Sequence, residues 1–206
     1  MMKNLFFVIT ILVVSVVLTG FLTQSKVSSL HHRDMEISQH QLIDISGEIK
    51  RVILAKRTAR EEVKIFAEKY NTTPDIIQLI NEKAKKYALP KEMVYNLIET
   101  ESKFRPEAVN NQNTNGTVDR GLMQINSRYA PWFAQKVGID NFNYKMLFQP
   151  EINLEIGMWY LKSMYNRYHN WHAVLTAYNK GPTGMKRYYR RTGAYQSRYS
   201  AVVLSE

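Results

Sequence analysis

The sequence predicts a mainly α-helical protein, and three observations carry that reading. Apolar residues recur at steps of three and four over most of the chain from Leu42 onward. Proline stands just where several of these periodic segments begin, at Pro74, Pro90 and Pro150. No internal repeat and no sustained apolar–polar alternation appears, so the only strand signal is a short polar stretch around Asn115-Gly116 suited to a small hairpin or an irregular loop.

The first element is apolar. Residues Leu5 to Leu22 carry no charge, and Lys3 precedes them as in an export signal. The run exceeds the roughly 7–15 residues of a signal core and reaches the ~17–25 needed to span a bilayer. Residues 1–26 are therefore expected to anchor the chain as a single-pass membrane segment, with the remainder outside the cytoplasm. Secretion after cleavage near Ser25 is the alternative, although no A-x-A site stands there.

Residues 27–70 follow as an amphipathic or coiled-coil-like helical stalk. Leu42, Ile45, Ile49, Val52, Lys56, Ala59, Val63, Phe66 and Tyr70 form an alternating three–four seam over about four heptads. Two readings stay open: a helix packed on its own domain, or a surface in residues 42–70 for a homodimer or a partner in an envelope machine. Asn71 to Pro74 then place a domain boundary near residue 71, with a separate domain expected over residues 71–206.

Within that domain Ile76, Ile77, Leu79, Ile80 and Ala84 make a first helix that ends before Pro90. Met93, Val94, Leu97 and Ile98 line one face of a second. Leu154, Met158, Leu161, Tyr165 and Tyr168 stripe a third, opened by Gln149-Pro150. Trp171, Val174, Leu175 and Tyr178 make a short helix that Gly181-Pro182 is expected to close.

Composition narrows the chemistry. With 45% hydrophobic and 12% aromatic residues the chain can build a core. Its 28 basic against 18 acidic residues, net +10, suit an anionic partner. No cysteine is present, which excludes thiol catalysis and cysteine zinc sites. The signatures GxSxG, HExxH, the P-loop and the dinucleotide fingerprint are missing. His169 and His172 lack further ligands, so neither a metal nor another cofactor is expected. Lys186, Arg187, Arg190 and Arg191 read as a solvated face or one turned toward a wall polymer, and no nucleic acid is expected as partner.

Carboxylates remain, and helical phase separates them. Glu101 continues the apolar face set by Met93, Val94 and Leu97, whereas Glu92 and Glu99 lie on the far side. Glu101 also falls in the last turn, where the helix dipole disfavours an anion. Burial and dipole both raise its pKa toward that of an acid that keeps its proton near neutral pH. On phase alone, a side chain reaching to solvent is the competing reading.

Three motifs follow in order: Glu101-Ser102-x-Phe104, Gly121-Leu122-Met123-Gln124-Ile125 and Ala177-Tyr178-Asn179-x-Gly181-Pro182. Together they resemble the catalytic domain of the soluble lytic transglycosylases, relatives of goose-type lysozyme. The segment from Thr117 to Ser127 is similar to the specialised transglycosylases of secretion and conjugation systems. The resemblance spans about Ile80 to Leu204 and implies a lysozyme-like fold that cleaves the MurNAc–GlcNAc β-1,4 bond of peptidoglycan, leaving 1,6-anhydro-MurNAc ends. It implies Glu101 as the single acid/base and glycan strands as the partner. Substrate contacts are implied at Gly121, Met123, Gln124, Tyr178 and Asn179, with Ser102 in support. In that mechanism the substrate's N-acetyl oxygen acts as nucleophile and its C6 hydroxyl replaces water.

Physical reasons accompany each residue. Gly121 would let backbone approach the sugar, Met123 would adapt to it, and Gln124 offers a donor and an acceptor to an N-acetyl group. The Tyr178 hydroxyl would reach Glu101 or the charge developing on the sugar, or else be a core tyrosine with a satisfied tip. Asp119 is the candidate second carboxylate and reads more simply as a turn-stabilising residue. No acidic residue stands just before Tyr199, where larger family members place a groove glutamate. A hydrolytic lysozyme on the same fold, and a catalytically silent peptidoglycan-binding scaffold, are the alternatives.

Overall fold

The computed structural model describes residues 28–205, with side chains from Asp44 onward. The anchor expected over residues 1–26 lies outside the described residues. Among the described residues no helix is long and apolar enough to cross a membrane.

The chain divides into two units, Met1–Thr58 and Ala59–Glu206. Helix α1 (Ser28–Lys69) contributes to both. In the first unit the seam positions Ile45, Ile49 and Val52 are about half exposed, at 51%, 47% and 50%. In the second, Val63, Phe66 and Tyr70 of the same seam pack on the core, and Ala67 is buried. The end of α1 therefore packs within the second unit, which starts at Ala59.

The catalytic-motif unit is built from helices whose starts follow local chemistry. Helix α2 (Pro74–Tyr87) begins at Thr73, whose hydroxyl accepts from the Ile76 N–H at 3.4 Å, with Pro74 where a missing N–H costs nothing. Ile77, Ile80 and Ala84 are its buried face. Helix α3 (Lys91–Ser102) buries Met93, Val94, Leu97 and Ile98 as the periodicity requires, and also Tyr95, which packs 4.9 Å from the Phe66 ring. It stops at Ser102 because Lys103 and Phe104 both turn left-handed, each with φ 55°. Two such residues cost roughly 1–2 kcal/mol each. Phe104 offsets part of that cost by burying its ring, stacked 4.4 Å from Tyr70.

Three two-residue strands follow: β1 (Val109–Asn110), β2 (Asp119–Arg120) and β3 (Ile125–Asn126). They pair antiparallel in chain order, with Asn110 and Asn126 both opposite Asp119. Gly116, at φ 71°, turns the loop between the first two, where the hairpin was expected.

Helix α4 (Ala130–Lys136), a 3₁₀ turn (Tyr144–Phe148), α5 (Pro150–Tyr168), α6 (Trp171–Thr192) and α7 (Arg198–Leu204) complete the fold. Gly181-Pro182 interrupts α6 where a helix end was expected: Gly181 leaves helical geometry at φ 71°, ψ 159°, and a second helical run follows to Thr192. Glycine tolerates that conformation and proline is preset for a first helical turn.

Helices α2 and α5 are joined by an ionic cluster. Lys83 bonds Glu151 and Glu155, while Lys86 and Tyr87 also bond Glu155. Burial pushes the Glu155 carboxyl up, but the bonds from Lys83, Lys86 and Tyr87 outweigh it and hold the pKa down at about 2. A depressed carboxyl adds stability above its ordinary value of 4.5, and that stability is lost as pH falls toward 2. Glu155→Gln should therefore destabilise the domain at pH 7 by on the order of 1–3 kcal/mol. Calorimetric Tm measured from pH 7 to pH 3 should fall less steeply in the variant than in the parent.

Candidate active site

The three motifs converge at the end of α3. Glu101 is partly buried in the last turn of the helix, on the side continuous with its apolar face. Ser102, next to it, is 2% exposed, and its hydroxyl donates to the Leu122 carbonyl at 2.7 Å. That bond stitches the acid-bearing turn to the 121–125 segment, so Ser102 contributes position.

The 121–125 turn is itself held from α5. Asn153 is fully buried; its Oδ1 accepts from the Met123 N–H at 2.8 Å, and its Nδ2 donates to the Arg120 and Leu147 carbonyls at 2.9 and 2.8 Å. Gly121 adopts φ 79°, and a Cβ there would lie 2.2 Å from both Asn153 Nδ2 and the Leu147 oxygen. The space a side chain would fill belongs to this clamp. Close approach explains the glycine, and the groups that crowd its Cβ position are Asn153 and the Leu147 carbonyl. Met123 is fully buried, with its sulfur against Gly157. Gln124 is left-handed at φ 47°, and its side-chain amide donates to the Gly121 and Ala108 carbonyls at 2.9 and 3.2 Å.

Two tyrosines stand at the site, and Tyr178 takes the second of its two expected roles. The Tyr178 hydroxyl donates to the Met123 carbonyl at 2.6 Å, and its ring lies 5.8 Å from Tyr160. It is the core tyrosine with a satisfied tip. The hydroxyl that reaches the acid belongs to Tyr199, which donates to Glu101 Oε1 from the first turn of α7. Burial first, and the nearby Glu101 charge second, hold both phenols well above their ordinary pKa, so each stays a proton donor. Sequence reasoning missed Tyr199. The helix that carries it is too short for periodicity to reveal, though Ser197 caps it visibly.

Asp119 accepts from the side-chain amides of Asn110, Asn113 and Asn126 at 3.2, 2.8 and 2.6 Å. The turn-stabilising reading fits those bonds. Asp119 nevertheless acts on Glu101 through charge. Burial pushes the Glu101 carboxyl up to about 7; the Tyr199 hydrogen bond pulls it down, and the Asp119 charge pushes it further up. At neutral pH the group is divided between acid and carboxylate, a balance that suits it to exchange a proton in either direction.

Beside Tyr199 opens a cavity of about 490 Å³, lined by Thr100, Asn179, Lys180, Tyr188, Arg198 and Val202 among others. Asn179 is exposed on its wall. The two histidines whose side chains are described have local surroundings: His169 ends α5 in left-handed geometry, and His172 Nδ1 lies 3.0 Å from the Ser200 hydroxyl.

Residues 78–200 match the Transglycosylase SLT domain family, and the chain belongs to that family. It is 28% identical over 131 residues to the membrane-bound lytic murein transglycosylase C of Haemophilus ducreyi, across 59% of this chain and 33% of that protein. The chain thus matches about a third of that relative's length. Among solved structures it resembles the 70 kDa soluble lytic transglycosylase of Escherichia coli, with a TM-score of 0.51 and 22% identity over 62% of this chain and 22% of that one. An inactive variant of Pseudomonas aeruginosa lytic transglycosylase Slt aligns with a TM-score of 0.48 and 23% identity, over 62% and 20% of the two chains.

The electrostatics of Glu101 give a signed prediction. An acid needed in protonated form works below its pKa and fails above it, so turnover should decline through about pH 7. Tyr199→Phe removes the bond that lowers this pKa and should move the alkaline limb upward. Asp119→Asn removes the charge that raises it and should move the limb downward. Turnover of purified sacculi measured from pH 5 to 9 checks both directions.

Proposed function

We propose that the chain is a lytic transglycosylase that cleaves the MurNAc–GlcNAc β-1,4 bond of peptidoglycan and leaves 1,6-anhydro-MurNAc ends. The observation that carries the proposal is the raised pKa of Glu101, an acid with a tyrosine donor on one oxygen. Membership of the SLT family and the name of the Haemophilus relative support the substrate class.

In the first step the protonated Glu101 gives its proton to the glycosidic oxygen. The C1–O bond breaks as the substrate's N-acetyl oxygen bonds C1, and GlcNAc leaves as an alcohol. In the second, the Glu101 carboxylate takes the proton of the C6 hydroxyl, O6 bonds C1, and the N-acetyl oxygen is released. Glu101 ends protonated, ready for another cycle. Tyr199 serves the middle of the sequence, since its hydrogen bond favours the carboxylate form that must wait for the C6 proton. Tyr178 holds the Met123 carbonyl, and with it the turn beside the acid. Asp119 is occupied by three amides and is read as electrostatic support, which favours intramolecular capture over a second carboxylate activating water.

The uncharged run Leu5 to Leu22 supports membrane anchoring with the catalytic domain outside the cytoplasm, and the relative named as membrane-bound agrees with that reading.

Mass spectrometry of a sacculus digest tests the proposal. Products should end in 1,6-anhydro-MurNAc, and Glu101→Gln should lower the rate by about 10²–10⁴-fold or more. Reducing MurNAc ends would instead assign the hydrolytic reaction.

A further inference from the structure

The cavity beside Tyr199 carries charge that the chemistry above does not use. Tyr199 bonds Glu101 and also lines this cavity, so the cavity adjoins the acid through that one side chain. Lys180, next to Asn179, and Arg198, next to Tyr199, line it too, and no acidic side chain does. Among the described residues neither cation forms a salt bridge, although six other charged pairs are made. The Lys180 ammonium lies 6.0 Å from the centre of the Tyr188 ring, a contact that lays its stem along the wall.

Two simpler roles fail. Arg198 is the first residue of α7, where the helix dipole favours an acid over a base. Helix stability does not place it there. Nor do the cations tune the acid, because the Glu101 proton answers to burial, Tyr199 and Asp119. A concave wall with unpaired cations concentrates anions. Lys186, Arg187, Arg190 and Arg191 are not among the residues that line it, so Lys180 is the one cation that α6 contributes to this wall.

We propose that Lys180 and Arg198 form a carboxylate-binding subsite for the substituent on C3 of MurNAc. The inference rests on the peptidoglycan reading above and names which part of the strand this cavity takes. MurNAc differs from GlcNAc by a lactyl ether at C3. When bare, that ether ends in a carboxylate; when substituted, it carries a peptide with carboxylates of its own. Both sources present the same group to a guanidinium and an ammonium. Asn179 and Tyr188 supply polar and aromatic wall to the substituent that bears it.

Binding to the full chain carrying Glu101→Gln tests this without consuming the ligand. Three tetrasaccharides serve as probes: one with stem peptides, one with bare lactyl groups, and the neutral N-acetylglucosamine tetramer. At least one anionic probe should bind about tenfold or more tightly than the neutral one, as expected for a charge-assisted contact. Adding Lys180→Ala and Arg198→Ala should bring that probe to the neutral value, whereas Lys180→Arg with Arg198→Lys should keep the preference. Lys186→Ala with Arg187→Ala should keep it as well. Which anionic probe is tighter identifies the source of the carboxylate. Equal affinity for all three probes, no binding of any, or a preference that survives the double alanine change would overturn the subsite. Cleavage of sacculi by the unsubstituted chain reports separately on the catalytic reading, so anhydro ends without anion preference would contradict this inference alone.

Discussion

A buried amide whose oxygen and both N–H groups are bonded is costly to disturb, because each freed partner would be left without water. Asn153 is such a group. Its three bonds, to the Met123 N–H and to the Arg120 and Leu147 carbonyls, join α5 to β2, to the 3₁₀ turn and to the motif turn. The rest of the site is stacked on that clamp. Gly121 is glycine because the clamp occupies its Cβ position. With Met123 in place, its carbonyl meets the Tyr178 hydroxyl, and the Leu122 carbonyl meets Ser102 at the end of α3. Glu101 is thereby located by a chain of backbone and side-chain bonds that begins two helices away.

On this frame the acid is balanced between opposing influences. Burial and Asp119 favour the neutral form, and Tyr199 favours the charged one. A group that only donated would profit from burial alone. A group that also accepts needs its carboxylate form to be reachable, and a donor from α7 makes it so. The strained backbone nearby fits a site held by its surroundings: Lys103, Phe104 and Gln124 are all left-handed without being glycine. Buried Phe104 and the two amide bonds of Gln124 hold those conformations in place.

Much of this was legible in the residues. Helices α2, α3 and α5 followed from capping, proline and apolar period, and Glu101 stood out because its phase joined the buried face of α3. Other parts were invisible for physical reasons. Helices α4 and α7 have seven residues each, too few for a period to show. The bond between Tyr199 and Glu101 joins residues 98 positions apart, and nothing local to either announces it. Asn153 reads in sequence as one polar residue in an apolar helix, and only packing reveals it as the clamp. Tyr178 was open to a contact with the acid or a core role and takes the core role, while Tyr199 makes the contact, since spacing cannot say which way a hydroxyl points. Gly181-Pro182 has the chemistry of a helix end, and Gly181 does break helical geometry there, after which Pro182 opens a second helical run.

The account depends on Glu101 holding its proton to neutral pH, and the most direct measurement is titration of that carboxyl by carbon-13 NMR in the intact chain, assigned with Glu101→Gln. A midpoint near 7 agrees with the balance of burial, Tyr199 and Asp119. A midpoint near the ordinary 4.5 would make Glu101 a carboxylate throughout the neutral range and would contradict its role as the acid.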